Sequence, residues 1–316
     1  MQQRPYGSSG LTVSAVAYGA MTIAQDPGLK DGVSPSLLAA LGAGVTLIDT
    51  ARVYPASEAI IAATLKAWRG PRPMISTKLA PLGRETWRRR RPLVEAYTPE
   101  SLRASVEGSL QALGVESLDI VHLHQWHYLW THEPAWLETL LALRAEGKLR
   151  CIAVSAQDHE HDAVLELVSQ GRIDGVQAIV NLFESRPAAG LLPLAAERGV
   201  GVIARCVYDS GGLTGLSREQ FAARPFLKDA PFGEYQARLR ALKARFLPEI
   251  AADIPELALR FVLSLPGVSS ATLGMNDTAM VETALAAAAK GPLPVEAVEA
   301  IRREHVWTKN FYERLP

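Results

Sequence analysis

Two cysteines in 316 residues, Cys151 and Cys206, are too few to staple a fold together. Each lies in a segment that reads as a buried strand, so a reducing, cytoplasmic setting is expected rather than a secreted disulfide scaffold. No apolar run approaches the roughly eighteen residues that a membrane span needs, and none follows a basic start at the N-terminus. Neither sign of charge is in excess. The 33 Lys and Arg balance 33 Asp and Glu, leaving no overall field to draw the chain to nucleic acid or to an anionic membrane. The expected partner is therefore a small molecule. A Gly-x-Gly-x-x-Gly turn behind a strand is also missing, which removes the usual support for a Rossmann-type dinucleotide site.

What is present is ordinary globular usage. With 48% hydrophobic and 21% charged residues, the chain can bury a substantial core, and disordered and fibrous classes are excluded. Short β-branched or apolar runs stand at 15–19, 46–50, 74–78, 119–124, 150–155, 175–180, 201–205 and 271–273. Between them apolar residues recur at three- and four-residue steps, as at 57–68, 99–113, 134–146, 158–170, 187–198, 255–265 and 277–289. Several of these stretches begin at a Ser, Asp or Pro suited to a first helical turn. Eight such βα units predict a single domain over residues 1–316, an α/β chain folded as a (β/α)8 TIM barrel. Gly7, Gly10 and the alternation over 11–13 predict a β-hairpin capping the barrel's N-terminal end. The connections 79–98 and 207–253 are long and are expected to cover the C-terminal face, where barrel sites form.

Asp49, Tyr54 just beyond it, Lys78 and His124 stand at the C-terminal ends of three of these strands. Burying such groups without partners costs several kcal/mol, so they are expected to satisfy one another and to mark a site. Hydride addition to a carbonyl leaves an alkoxide that a positioned acid must protonate, and a tyrosine suits this. Its ordinary pKa near 10 is high for reversible work at neutral pH. A lysine ammonium about 4 Å away contributes on the order of 4 kcal/mol at an effective dielectric near 20, and Lys78 is expected to lower the Tyr54 pKa in this way. Asp49 would hold Lys78 charged and oriented, and His124 would steer the carbonyl.

The run Gly44-Val-Thr-Leu-Ile-Asp-Thr-Ala-Arg-Val-Tyr54, extended by Ser57 and Glu58, resembles the signature of the aldo-keto reductase superfamily. Ser76-Thr-Lys78 and Leu118-Asp-Ile-Val-His-Leu-His124 resemble the family's lysine and histidine strands, and the likeness continues through Val154-Ser155, Val176-Gln177 and Leu273-Gly274. The resemblance implies an oxidoreductase that interconverts a carbonyl compound or sugar and an alcohol. It implies a catalytic tetrad of Asp49, Tyr54, Lys78 and His124 and no metal. It also implies NADP, with NAD open, extended over the C-terminal face on Gly19, Met21, Asp49, Ser155, Gln177, Arg205, Cys206, Gly274 and Asn276. In this arrangement Ser155 and Gln177 take the carboxamide, and the segment after the seventh barrel strand takes the pyrophosphate.

Three positions depart from the family pattern. Ala156 replaces an expected Asn beside Ser155. Arg205 stands where many members stack a tyrosine on the nicotinamide; a planar guanidinium can substitute, and pairing with substrate is the other reading. Asn276 replaces the Lys or Arg that commonly meets the 2′-phosphate, and Asp277 beside it would repel a phosphate if it pointed inward.

Other readings accompany these. His122 and His124 alternate on one strand and face the same way, which with His127 allows a metal-dependent barrel hydrolase. A cofactor-binding, channel-subunit-like protein with little turnover is a third possibility outside enzymology. Trp126, His127, Tyr128 and Trp130 read either as an aromatic wall beside the substrate or as loop packing. His159 and His161 read as a solvated helix start. The basic run 87–91 reads as a solvated loop or an anion contact, and the aromatic stretch 307–312 as packed on the barrel.

Overall fold

The computed structural model describes residues 1–83, 91–227 and 230–307. A hairpin of β1 (Gln3–Pro5) and β2 (Thr12–Ser14) comes first. Then follow β3 (Val16–Gly19), α1 (Pro35–Gly42), β4 (Leu47–Asp49), α2 (Ser57–Ala67), β5 (Met74–Leu79), α3 (Leu93–Ala96), α4 (Pro99–Leu113), β6 (Leu118–Trp126), α5 (Ala135–Ala145) and β7 (Leu149–Ala156). The second half carries α6 (Leu165–Ser169), β8 (Gly175–Ile179), α7 (Leu191–Arg198), β9 (Gly201–Arg205), α8 (Arg218–Ala222), α9 (Phe232–Phe246), α10 (Ile254–Ser264), β10 (Val268–Gly274), α11 (Thr278–Ala289) and α12 (Val295–Glu304). Strands β3 to β10 are parallel and close into a barrel in chain order, β10 pairing with β3. All eight expected strands are present, so the TIM-barrel expectation holds.

Period-two alternation sorts the strands' apolar residues into two cores. Val16, Ile48, Ile75, Val121, Val154 and Val202 face the helices in the larger cluster. Ala17, Leu47, Ile120, Cys151, Ala153 and Ile203 face inward and meet Tyr6, Leu11 and Val13 of the hairpin. The hairpin therefore plugs the barrel, as expected. Tyr6 is fully buried, and it fits only because two strands open on glycine. A Cβ at Gly175 would lie 1.7 Å from the Tyr6 hydroxyl, and one at Gly201 2.4 Å from its ring.

Local chemistry accounts for the helix ends. Thr98 and Ser101 form a reciprocal capping box at the start of α4, with Pro99 in its first turn and Gly114 left-handed at its end (φ 66). Asp253 accepts from the Glu256 amide to start α10. One expectation is corrected. The helix expected over 158–170 is a 3-10 turn, His161–Val164, running into the short α6, where Asp158 pairs with Arg205 and the His159 ring is bonded to Glu184. The long connection 207–253 carries α9, whose buried Tyr235, Leu239, Leu242 and Phe246 recur at helical spacing. Of the 307–312 stretch, Trp307 is described and packs against Phe183 and Tyr235; the remainder lies outside the described residues. The basic run 87–91 also lies outside them, apart from Arg91, which pairs with Glu95.

The Tyr6 hydroxyl is buried and has no hydrogen-bond partner among the described residues. Tyr6→Phe should therefore leave stability unchanged or raise it by about 1 kcal/mol, whereas Tyr6→Ala should cost about 3–5 kcal/mol. Urea unfolding midpoints of the two variants check this, and equal losses in both would contradict the plug.

Candidate active site

Because the barrel strands are parallel, their C-terminal ends open on one face. Above the apolar plug the inward positions turn polar: Asp49 on β4, Ser76 and Lys78 on β5, His122 and His124 on β6, Ser155 on β7, Gln177 on β8 and Thr272 on β10. Asp49 is the acceptor at the centre. Lys78 Nζ donates to both of its oxygens at 2.8 Å, Gln177 Nε2 at 3.0 Å, Ser76 Oγ at 3.1 Å and Thr272 Oγ1 at 3.5 Å. Lys78 also donates to the Thr50 carbonyl at 2.9 Å, so each of its three N–H bonds has an acceptor. Both side chains are buried, a placement that only such a complete set of partners makes tolerable.

The turn that carries Tyr54 is pinned from below. Thr50 Oγ1 and Ser57 Oγ lie 2.7 Å apart. The buried Glu58 accepts from Thr77 at 3.1 Å and from Arg52 at 2.9 Å. Ala56, left-handed at φ 56, turns the chain into α2. Tyr54 consequently stands half-buried over Lys78, whose Nζ is 5.4 Å from the ring centroid. The His124 ring meets it edge-on, with centroids 5.9 Å apart. The four expected residues are thus brought together.

The electrostatics differ from expectation. Burial pushes the Tyr54 phenol above its ordinary value; Lys78 pulls it down, but Asp49 pushes it up. The lysine charge is shared with a carboxylate 2.8 Å away, so the expected lowering is overturned and the phenol keeps its proton at neutral pH. Burial, followed by Lys78 and Arg205, holds His124 well below the ordinary histidine range. His122 is pushed down to about 4, by burial first and then by Lys78. Both imidazoles are therefore neutral at pH 7. His122 Nε2 lies 3.1 Å from Ser76 Oγ, and His127 Nε2 lies 3.2 Å from both Gln125 and Gln157. Among the described residues no group of three or more His, Cys, Asp or Glu is placed to hold a metal ion, so the three-histidine arrangement is not assembled.

The remaining expected contacts ring the same face. Ser155 and Gln177 are register partners on β7 and β8. Asp49 accepts only, so the Gln177 amide N–H faces it and the Gln177 carbonyl oxygen is presented away from it. Gly19 and Gly274 are register partners on β3 and β10. A Cβ at Gly19 would meet the Leu273 carbonyl oxygen at 2.9 Å, so only glycine fits where β3 meets the end of β10. Met21 is 56% exposed beside it, and Asn276 Nδ2 donates to the Gln25 carbonyl at 3.5 Å. Asp277 does not point inward: it caps α11, accepting from the Ala279 amide. A row of inward polar groups beside a bare glycine corner fits an extended dinucleotide.

Two further expectations change, and one open reading is decided. Cys206 lies one residue past β9 with φ 54, not within a strand. His159 is bonded to the buried Glu184 at 2.7 Å rather than solvated. Trp126 and Trp130 are buried in edge-on contact with each other and with Trp136 and Tyr97. They pack the loop against the barrel, and of the aromatic run only Tyr128 is exposed.

Comparison with known proteins decides the family: the profile of the Aldo/keto reductase family matches residues 15–304. The chain belongs to this family. Curated relatives of the reductase include an NADH-specific methylglyoxal reductase of Escherichia coli, 26% identical and covering 96% of this chain and 100% of that one. An L-galactose dehydrogenase of Arabidopsis thaliana is 27% identical over 91% of this chain and 88% of its own. Among solved structures, the holo form of an aldo-keto reductase from Bacillus halodurans superposes with a TM-score of 0.77 at 21% identity, covering 98% and 99% of the two chains; that likeness bears on the fold alone. The chain is accordingly a nicotinamide-dependent oxidoreductase of carbonyl compounds and alcohols.

Two features escaped the sequence reading. Thr272 on the last strand joins the shell around Asp49, and Asp158 pairs with Arg205 at 2.8 Å. Alternation along 271–273 carries a signal for the first. Nothing local carries one for the second, whose partners are separated by 47 positions.

Removing one member of the buried pair strands the other. Lys78→Met should destabilise the protein by about 3–5 kcal/mol, and a second change, Asp49→Leu, should restore part of that loss. A double-mutant cycle from urea unfolding checks this; additive losses would contradict the coupling.

Proposed function

We propose that the reductase transfers hydride between a nicotinamide dinucleotide and an aldehyde, ketone or sugar, with Tyr54 as the acid and base. The observation that carries this reading is the buried Lys78 ammonium, tied to Asp49 and Thr50 with Nζ 5.4 Å from the centroid of a tyrosine at the open strand ends. When bound, the nicotinamide supplies the hydride. Ser155 and the Gln177 carbonyl would hold its carboxamide, and Gly19 and Gly274 leave room for the extended dinucleotide. Tyr54 donates its proton to the carbonyl oxygen as negative charge develops there, and Lys78 stabilises the phenolate that remains. His124, neutral because it is buried near two cations, donates a hydrogen bond to the same oxygen and fixes the carbonyl's orientation.

Segment 274–277 holds no Lys or Arg to pair with a 2′-phosphate, and the Asp277 carboxylate already takes an amide at the N-terminal end of α11. The helix terminus that would otherwise attract a 2′-phosphate is therefore occupied from within the chain. NADH is the cofactor this arrangement favours, with NADPH the family-level alternative, and the NADH specificity in the name of the E. coli relative agrees with it. The relatives' names, a methylglyoxal reductase and a sugar dehydrogenase, support small aldehydes and sugars as the first substrates to try. We read the whole chain as one barrel domain, and its two free cysteines suit a reducing cytoplasm.

Tyr54→Phe should lower the single-turnover rate of carbonyl reduction by about 10²–10⁴-fold and leave NADH affinity nearly unchanged. Because the phenol's pKa lies above its ordinary value, wild-type reduction should be flat through neutral pH and fall only as the phenol loses its proton at strongly alkaline pH. Oxidation, which needs the phenolate, should rise over that same alkaline range. Stopped-flow traces across pH check both, and an unchanged rate in the variant would refute the role of Tyr54.

A further inference from the structure

Arg205 is the one inward-facing position at the strand ends that carries a full cationic side chain outside the Lys78–Asp49 pair. Ile203, two residues earlier on β9, belongs to the barrel interior, so the alternation turns Arg205 toward the site. Its guanidinium reaches from β9 past the end of β8 to β7: Nη2 donates to the Ala156 carbonyl at 2.9 Å and to Asp158 Oδ1 at 2.8 Å. Nη1 contacts Cys206 Sγ at 3.5 Å, and Nε is buried without a partner among the described residues. Ala156 follows Ser155, and Gln177 lies on the strand the side chain crosses. The guanidinium is therefore bonded to the residue that follows Ser155 and spans the strand that carries Gln177, the two residues assigned to the carboxamide.

The two ends of this ion pair differ in their surroundings. The Arg205 side chain is 19% exposed and that of Asp158 46%, so water screens the carboxylate more than the guanidinium. A net positive field is left on the inner side. Arg205 is felt at Tyr54 and at His124, where it disfavours the protonated form of each.

We propose that Arg205 makes the site select the redox state of the cofactor, holding the reduced dinucleotide more tightly than the oxidised one. This rests on the cofactor placement proposed above. The reduced nicotinamide ring is neutral. After giving a hydride, two electrons and a proton, to the carbonyl carbon while Tyr54 gives a proton to the oxygen, the ring is a cation. A guanidinium beside the carboxamide repels that cation and is indifferent to the neutral ring. A tyrosine at the same position would stack on either form without this bias. Arg205 thus drives the reductive direction by favouring entry of the reduced cofactor and release of the oxidised one, and Asp158 moderates the effect.

Calorimetric titration of the full chain with NADH and NAD+, and in parallel with NADPH and NADP+, tests this through the ratio of the oxidised to the reduced Kd. Arg205→Gln should lower the ratio about tenfold, Arg205→Lys should retain most of it, and Asp158→Asn, which removes the counter-charge, should raise it. A merely structural role would weaken both forms together and leave the ratio unmoved; that result in Arg205→Gln, or a falling ratio in Asp158→Asn, overturns the inference. If Arg205→Gln does not fold, the exposed Asp158→Asn decides alone, a raised ratio supporting the proposal and an unchanged one defeating it. Failure of the wild-type chain to bind either form would instead defeat the cofactor placement, and the inference with it.

Discussion

A lysine and an aspartate buried together at the mouth of a barrel impose most of what is distinctive about this protein. An ammonium and a carboxylate taken out of water cost several kcal/mol each unless hydrogen-bonded on every side. The shell around Asp49 meets that demand with groups from three strands: Lys78 and Ser76 from β5, Gln177 from β8 and Thr272 from β10, all directed at the end of β4. Gathering these side chains around one carboxylate requires a closed barrel in this register. The same pair then determines what lies above it. With its three N–H bonds spent on Asp49 and Thr50, Lys78 presents a cation that is held in place, and the Tyr54 ring stands over it.

The barrel divides its labour along its axis. Its N-terminal half is closed by Tyr6 and small inward residues, with Gly175 and Gly201 making room for the ring; its C-terminal half holds the polar network. Stability and chemistry therefore occupy different layers, joined by strands whose outer faces pack on the helices. The positioning of Tyr54 by Thr50, Ser57, Glu58 and Arg52 belongs to the second layer. Those side chains touch no reacting atom in the proposed chemistry, and their part is to fix the turn.

The strands and the four central residues were legible in the sequence because both rest on short-range pattern. Eight β-branched runs with helical spacing between them have few closed solutions, and polar residues at strand ends are conspicuous where apolar ones are expected. Long-range geometry was not legible. Asp158 looks like a helix cap until Arg205 is placed beside it, and once it is, α6 starts later than its periodicity suggests. Trp126 and Trp130 read equally as a pocket wall or as loop packing by their place in the chain, and only Tyr97 and Trp136 found against them decide for packing. The phenol of Tyr54 departs furthest from expectation. A lysine nearby predicts a lowered pKa, but the balance turns on desolvation and on Asp49, and both depend on coordinates rather than spacing.

If this constellation passes hydride straight to a carbonyl carbon, the transferred atom can be followed by its isotope. The full chain would be incubated with NADH carrying deuterium at nicotinamide C4, in separate preparations for each face, together with methylglyoxal and a panel of aldoses and aldonolactones in ordinary water. Mass spectrometry of the alcohol product should find one deuterium at the former carbonyl carbon from one labelled face and none from the other. Product without deuterium from either face, or no product across the panel while NADH remains bound, would contradict that transfer.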